Sequence, residues 1–289
     1  MKSTVNRENF REFNDGFWDY DYETQKHKTF WLKPENMDVS GGRMHVDELK
    51  VLFDYPGLKE IQISGLDQDS FEYFIKNFGH QFSLIRFFKN KDIKDWSLLS
   101  TLNQIESLDF YYNNYIDHFW DMSQNTSLKY LSIDNFKKLQ TLEGIEKAQN
   151  LECFYIGNKL PDSSSIDSLK WFAHTNIYDI EIGKLIDDLN LSYVKDMPNL
   201  SKVPLIYDVT LEQFAWLSAN VPEKMDNALP YIEYEGYSET GDAPIRIRFL
   251  DGSRSFKKTP KNEKRIQAYM ERFEVLKEYY KDKPYPIEQ

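Results

Sequence analysis

Between residues 58 and 156 a short apolar pattern returns at nearly fixed intervals, and it constrains the fold more than any other feature. The pattern is apolar, two residues, apolar, one residue, apolar. It reads Leu58-Ile61-Ile63, Phe82-Ile85-Phe87, Ile105-Leu108-Phe110, Leu128-Leu131-Ile133 and Leu151-Phe154-Ile156. Successive starts lie 24, 23, 23 and 23 residues apart. A weaker copy, Leu169-Phe172-His174, follows after 18, and Leu200-Val203-Leu205 after an irregular gap. A unit this short cannot bury its own apolar side, so the copies must stack. The pattern predicts one short strand per unit, paired in parallel with its neighbours and turning the repeated apolar positions inward.

Phe82 to Asn90 and Ile105 to Asn113 match the consensus L-x-x-L-x-L-x-x-N in full, with aromatic substitutions. The Asn is expected to satisfy backbone groups where the chain leaves the strand. Ile93, Leu98, Leu99 and Leu102, and later Leu139, Leu142, Ile145 and Ala148, take the apolar places of short helices between strands. On these motifs residues 55–182 resemble the leucine-rich repeat family, in its cytoplasmic, internalin-like subclass. The resemblance implies an α/β solenoid, an irregular array of parallel strands, and a role as an interaction module.

The ends fit no repeat. Residues 1–54 are expected to form an N-terminal cap with some β structure, rich in aromatics (Phe10, Phe13, Phe17, Trp18, Tyr20, Tyr22, Phe30, Trp31), with a Gly41-Gly42 turn and a short helix over Val46–Phe53. The repeats then occupy 55–204, and a small α+β module 205–289. In that module Thr210 and Gln213 suit a capping box, and Tyr231–Tyr234 reads as a strand. Ile245–Phe249 alternates before the tight-turn pair Asp251-Gly252, which predicts a hairpin to Ser253–Lys257. Thr259-Pro260 opens a helix whose stripe is Ile266, Tyr269, Met270, Phe273, Leu276 and Tyr280.

Aromatic residues make up 16% of the chain, which excludes a long disordered polypeptide. The formal net charge of −11 is opposite to that of a generic nucleic-acid or anionic-membrane binder, so a nucleic-acid partner is not expected and a basic protein is. The first residues show no apolar leader and no run approaches the ~18 apolar residues of a membrane span. The expected setting is the cytoplasm, with no membrane association, and the sequons at Asn125, Asn190 and Asn199 are incidental. Cys153 is alone, so no intramolecular disulfide can form.

The chain carries no metal-ligand spacing among its five histidines, no nucleophile elbow and no phosphate-binding loop. The alternating acids Asp19, Asp21 and Glu23, and Asp67 and Asp69, read as solvated surface, and Cys153 as a packing residue. No catalytic residue, cofactor or metal is expected. Residues 246–265 carry eight Lys or Arg against two acids, a balance of +6 that leaves −17 for the remainder. This stretch is poor in interleaved aromatics for stacking on bases and reads first as a solvated hairpin face and helix start, with a phosphate or acidic-partner site as the alternative.

The informative constellation is the strand face itself. Residues between the inward positions form three rows: Glu60, Leu84, Ser107, Tyr130, Cys153, Trp171; Gln62, Arg86, Asp109, Ser132, Tyr155, Ala173; and Ser64, Phe88, Tyr111, Asp134, Gly157, Thr175. Solvated positions rarely hold so many large apolar and aromatic side chains, and Tyr, Trp and Arg favour interface hot spots. Arg86, Phe88, Asp109, Tyr111, Tyr130, Asp134, Tyr155 and Trp171 are therefore the expected partner-binding residues. The competing expectation is that a terminal segment folds over this face and buries it. The functional expectation is a non-enzymatic protein-binding protein, of the acidic immunity or inhibitor kind that neutralises a basic toxin such as a nuclease. The alternatives are an enzyme or ligand-binding site around Arg246, Arg248, Asp251 and Arg254, or a purely structural adaptor.

Overall fold

The structure is a computed structural model that describes residues 7, 20–21, 26–27, 30–157, 165–204, 209–236 and 243–287. The chain divides into two compact units, Met1–Asp188 with Met197–Asn199, and Leu189–Asp196 with Leu200–Gln289. Phe10, Phe13, Phe17, Trp18 and Tyr22 of the expected cap, Asp19 and Glu23, and Leu205 of the last candidate repeat lie outside the described residues.

The first unit is built on a seven-stranded parallel sheet. Its strands are β1 (Phe30–Leu32), β2 (Glu60–Ser64), β3 (Leu84–Phe88), β4 (Ser107–Asn113), β5 (Tyr130–Phe136), β6 (Cys153–Gly157) and β7 (Asp179–Ile182), each beside its predecessor. The register aligns Ile61, Ile85, Leu108, Leu131, Phe154 and Ile180 in one row. A second row holds Ile63, Phe87, Phe110, Ile133, Ile156 and Ile182. No member of either row is more than 6% exposed. The repeated apolar positions do turn inward, as the spacing predicts.

The expected class, an α/β solenoid of irregular leucine-rich repeats, needs correction. The structure shows an α/β fold: the seven-stranded parallel sheet with helices on its connections, and a three-stranded antiparallel sheet besides. The units between strands are not equivalent. The β2–β3 connection holds an 11-residue helix, α1 (Gln68–Phe78), whereas later ones hold 3₁₀ turns at Ser97–Thr101, Met122–Gln124, Ile145–Lys147 and Leu169–Phe172. β1 comes from the segment expected to be a cap. The copy at Leu169 is also corrected. Leu169–Phe172 is a 3₁₀ turn with Ser168 as its cap, and the last strand is Asp179–Ile182. A 3₁₀ turn eclipses residues i and i+3, so Leu169 and Phe172 face inward by a spacing that also suits a strand entry. Ile177-Ile180-Ile182 carries the full pattern 26 residues after Leu151.

Strands β2 to β5 each have a left-handed residue at or next to the end where the chain leaves the sheet. Gly65, Lys89, Tyr112 and Asn135 have φ of 78°, 58°, 71° and 59°. For the three non-glycine residues this costs roughly 1–2 kcal/mol each. The turn lets the next side chain fold under the sheet edge. Asn90 donates to Ile63 O at 3.0 Å and accepts from Leu66 N at 2.7 Å. Asn113 donates to Asn90 O and Ile93 O at 3.0 and 2.8 Å and accepts from Tyr115 N and Ile116 N at 2.8 and 2.9 Å. At the opposite end of the turns Asn125 is 2% exposed. It donates to Leu99 O and Leu102 O and accepts from Trp120 Nε1. That sequon is a structural device.

In the second unit, α2 (Leu211–Asn220) starts with the expected capping box. Thr210 Oγ1 accepts from Gln213 N at 3.2 Å, and Gln213 Oε1 from Thr210 N at 2.9 Å. The antiparallel sheet runs β8 (Tyr231–Glu235), β9 (Ile245–Phe249), β10 (Phe256–Lys257), with Gly252 at φ 75° in the turn. Helix α3 (Glu263–Tyr280) buries Tyr269 and Phe273; Tyr269 stacks on Phe249 at 3.8 Å and Phe273 meets Phe214 at 5.7 Å. Among the described residues no helix is long and apolar enough to cross a membrane.

Asn113→Ala removes four hydrogen bonds at a site 4% exposed. It should destabilise the chain by about 3 kcal/mol, since buried backbone groups are left unmet. Chemical denaturation checks this, and a change under ~1 kcal/mol would contradict the role given to the Asn.

Candidate protein-binding face

Parallel pairing in exact step places the residues between the inward positions in rows on the other face of the sheet. Arg86 lies opposite Asp109, Ser132 opposite Tyr155, and Phe88, Tyr111 and Asp134 follow one another across β3, β4 and β5. Seven of the eight expected residues therefore share one face. Trp171 does not: it sits on the 3₁₀ turn, where its Nε1 donates to Asp167 Oδ2 at 2.8 Å and Lys170 lies over its ring. The partners of Cys153 and Tyr155 on the next strand are Asp179 and Glu181. Ala173 and Thr175 leave the rows with Trp171.

The face is largely buried. Arg86, Asp109, Tyr130, Asp134 and Tyr155 are all under 9% exposed. Leu84, Tyr130, Cys153 and Tyr155 form an apolar cluster on it. At its centre Arg86 Nε lies 2.8 Å from Asp109 Oδ2. This buried pair aligns two central strands. Burial, with a smaller contribution from Glu152, pushes the Tyr130 phenol up to about 12. Tyr155 folds its ring back over Gly157, so a Cβ at 157 would strike its hydroxyl. The face as drawn from the sequence is thus mostly interior.

The accessible part lies where the strands end. Trp31, Phe88 and Tyr111 are half-buried and form an aromatic ladder. Trp31 meets Phe88 edge-on at 6.0 Å, and Phe88 stacks on Tyr111 at 5.1 Å. Trp31 Nε1 donates to Ser64 Oγ at 2.9 Å, and Lys33 and Lys89 lie over Trp31 and Phe88. Burial, then Asp134, raises the Tyr111 phenol above its ordinary value. In the turns after the same strands, Asp67, Asp69, Asp92 and Tyr115 line an open groove of about 380 Å³ with Arg43, Gln68 and Lys94. Asp67 is the N-cap of α1 and pairs with Arg43 at 2.8 Å; Asp69 and Asp92 are exposed, and Tyr115 is 41% exposed. The pattern of Asp67 and Asp69 thus has a helix start as its cause. Trp31, Tyr115 and Asp92 were not in the expected set: Trp31 belongs to the segment that fits no repeat, and Asp92 and Tyr115 each follow a consensus Asn by two residues.

At the strand entries a polar groove of about 530 Å³ is lined by Arg7, Glu106, Lys129, Asn150, Glu152, Asn176 and Asn199 among others. Arg7 pairs with Glu152 at 2.6 Å and lies over the ring of Tyr178. In the second unit, Arg246 binds Ser255 O and Oγ, and Asp251 accepts from Ser253 N within the turn. Two members of the alternative site around Arg246, Arg248, Asp251 and Arg254 thus also hold the hairpin together. Among the described residues no three His, Cys, Asp or Glu side chains gather as a metal site. Comparison with protein-family models, with curated proteins and with solved structures gives no match in any of the three. The leucine-rich repeat resemblance rests on the sequence pattern alone.

Two outcomes follow. Arg86→Met alone should cost about 3–5 kcal/mol, because it strands a buried carboxylate, while Arg86→Met with Asp109→Leu should cost clearly less; a denaturation double-mutant cycle reads the difference. Stability should also fall as pH rises from about 10 to 12. Below that window the phenol of Tyr130 is neutral folded or unfolded; within it only the unfolded chain ionises. Tyr130→Phe should flatten part of that slope in melts at stepped pH.

Proposed function

We propose that this chain is a non-enzymatic protein-binding protein whose partner is a basic protein, in the manner of an immunity or inhibitor protein that neutralises a basic toxin such as a nuclease. The observation that carries the reading is the pairing, at the strand-exit end of one sheet, of the half-buried ladder Trp31–Phe88–Tyr111 with a groove in which the exposed acids Asp69 and Asp92 stand beside Tyr115, Lys94 and the Arg43–Asp67 pair. Aromatic anchors supply contact area at small conformational cost, and carboxylates around them steer a cationic partner and raise its association rate.

The second support is the net charge of −11. The third is pre-organisation. The ladder is locked by stacking and by the Trp31–Ser64 bond, so little ordering entropy is lost on binding. The buried pair Arg86–Asp109 is assigned the supporting role of holding β3 and β4 in step beneath the ladder.

The test is affinity capture from a native lysate with tagged protein, eluted in rising salt. One stoichiometric basic protein should be retained at low salt and released as salt rises. Asp69→Asn with Asp92→Lys should weaken it at least tenfold in a titration with purified partner, and Tyr115→Ala several-fold, with the fold retained because all three side chains are exposed. Retention that ignores these substitutions, or an acidic partner, would sink the reading.

A further inference from the structure

The basic stretch 246–265 looks, in sequence, like a solvated face; its own aromatics, Phe249 and Phe256, pack against Arg265. The sheet of the second unit changes that. Register places Tyr234 directly opposite Arg246, Ile232 opposite Arg248, and Arg246 opposite Lys257. Side chains alternate along a strand. Ile247 and Phe249 are buried, whereas Arg248 and Lys257 are exposed and Tyr234 is 40% exposed. One side of the sheet therefore presents an aromatic ring among three cations: Tyr234, Arg246, Arg248 and Lys257.

Five of the eight cations of the stretch separate by role. Lys258 is taken by Glu233 at 2.7 Å, and Arg265 packs over the rings of Phe249 and Phe256. Arg248 and Lys257 make no ion pair among the described residues. Arg246 is pinned by Ser255 O and Oγ at 3.0 and 3.1 Å, which fixes its guanidinium beside the ring. Ser255 first, then Arg246 and Arg248, hold the Tyr234 phenol below its ordinary value.

Residues two apart on a strand stand roughly 7 Å from each other, and cross-strand neighbours about 5 Å. Cations at those spacings can meet successive charges of a flexible anionic chain, and a Tyr face between them can take a base. An acidic peptide would use the cations but has no flat group for the ring. We infer that this side of the antiparallel sheet is a docking surface for single-stranded nucleic acid, with Tyr234 as the stacking platform and Arg246, Arg248 and Lys257 as phosphate contacts. The charge of −17 on the remainder of the chain does not oppose this at physiological salt, where the Debye length is about 8 Å. The inference is independent of the protein-binding reading and uses different residues.

The experiment is fluorescence anisotropy of the full chain with labelled 12-nucleotide single-stranded DNA and RNA across a salt series. Binding is expected, with log affinity falling against log salt at a slope near −2, from about 0.7 per phosphate contact for three cations. Tyr234→Ala should weaken binding about 5- to 100-fold and leave the slope unchanged, since a lost stack carries no charge. Tyr234→Phe should bind as the parent does. Arg248→Glu should weaken binding and flatten the slope. Circular dichroism should show each variant folded, as these side chains are exposed. No binding anywhere in the salt series overturns the inference, as does binding indifferent to Tyr234→Ala. A labelled poly-glutamate peptide that binds as well as the oligonucleotides also overturns it, assigning the surface to acidic protein segments.

Discussion

In the first unit, lateral stacking of equivalent apolar positions across parallel strands carries the remaining structure. Six strands contribute to each of two rows, and each buried Ile, Leu or Phe side chain contributes roughly 1.5–3 kcal/mol of burial. That outweighs the roughly 1–2 kcal/mol of each left-handed exit at Lys89, Tyr112 and Asn135. The exits are tolerated because they deliver Asn90 and Asn113 to backbone groups that no strand can reach. Where Phe replaces Leu the rows thicken into a continuous aromatic core. Phe87 stacks on Phe110 at 4.9 Å, and Trp96 bridges Phe110, Phe119, Trp120 and Phe136.

The same register that stacks the inward rows aligns the residues between them. It is indifferent to what those residues are, so a charge pair and several tyrosines are brought together on one face. Burial then assigns their roles. Arg86 and Asp109 neutralise each other at the centre and act on strand alignment. The ladder at the strand ends keeps part of its surface, and there the sheet meets the acidic turns. The proposed contact is thus at an edge of the aromatic face, with the buried part as its support.

In the second unit, pairing between strands far apart in sequence creates the surface of interest. Tyr234 belongs to β8 and Arg246 to β9, and only the antiparallel register sets them side by side. The basic stretch by itself carries charge without a stacking partner. The hairpin supplies the partner and sorts the cations into structural and exposed.

The inward rows, the exit Asn residues, the capping box at Thr210 and the hairpin at Asp251-Gly252 were legible in the sequence. Each depends on local spacing and residue type, which period and turn chemistry express directly. Three features were not. The equivalence of the repeats failed because a 3₁₀ turn and a strand entry share the spacing apolar-x-x-apolar, so Leu169-Phe172 could not be told from a strand. The exposure of the strand face was hidden because Tyr130 or Tyr155 looks the same in sequence whether covered or open. The ladder through Trp31 and the Tyr234–Arg246 pair required contacts between segments with no common periodicity. Sequence alone determined which residues must be buried together along each repeat. Tertiary structure decided which of the others stay accessible, because accessibility is set by neighbours distant in the chain and leaves no trace in local spacing.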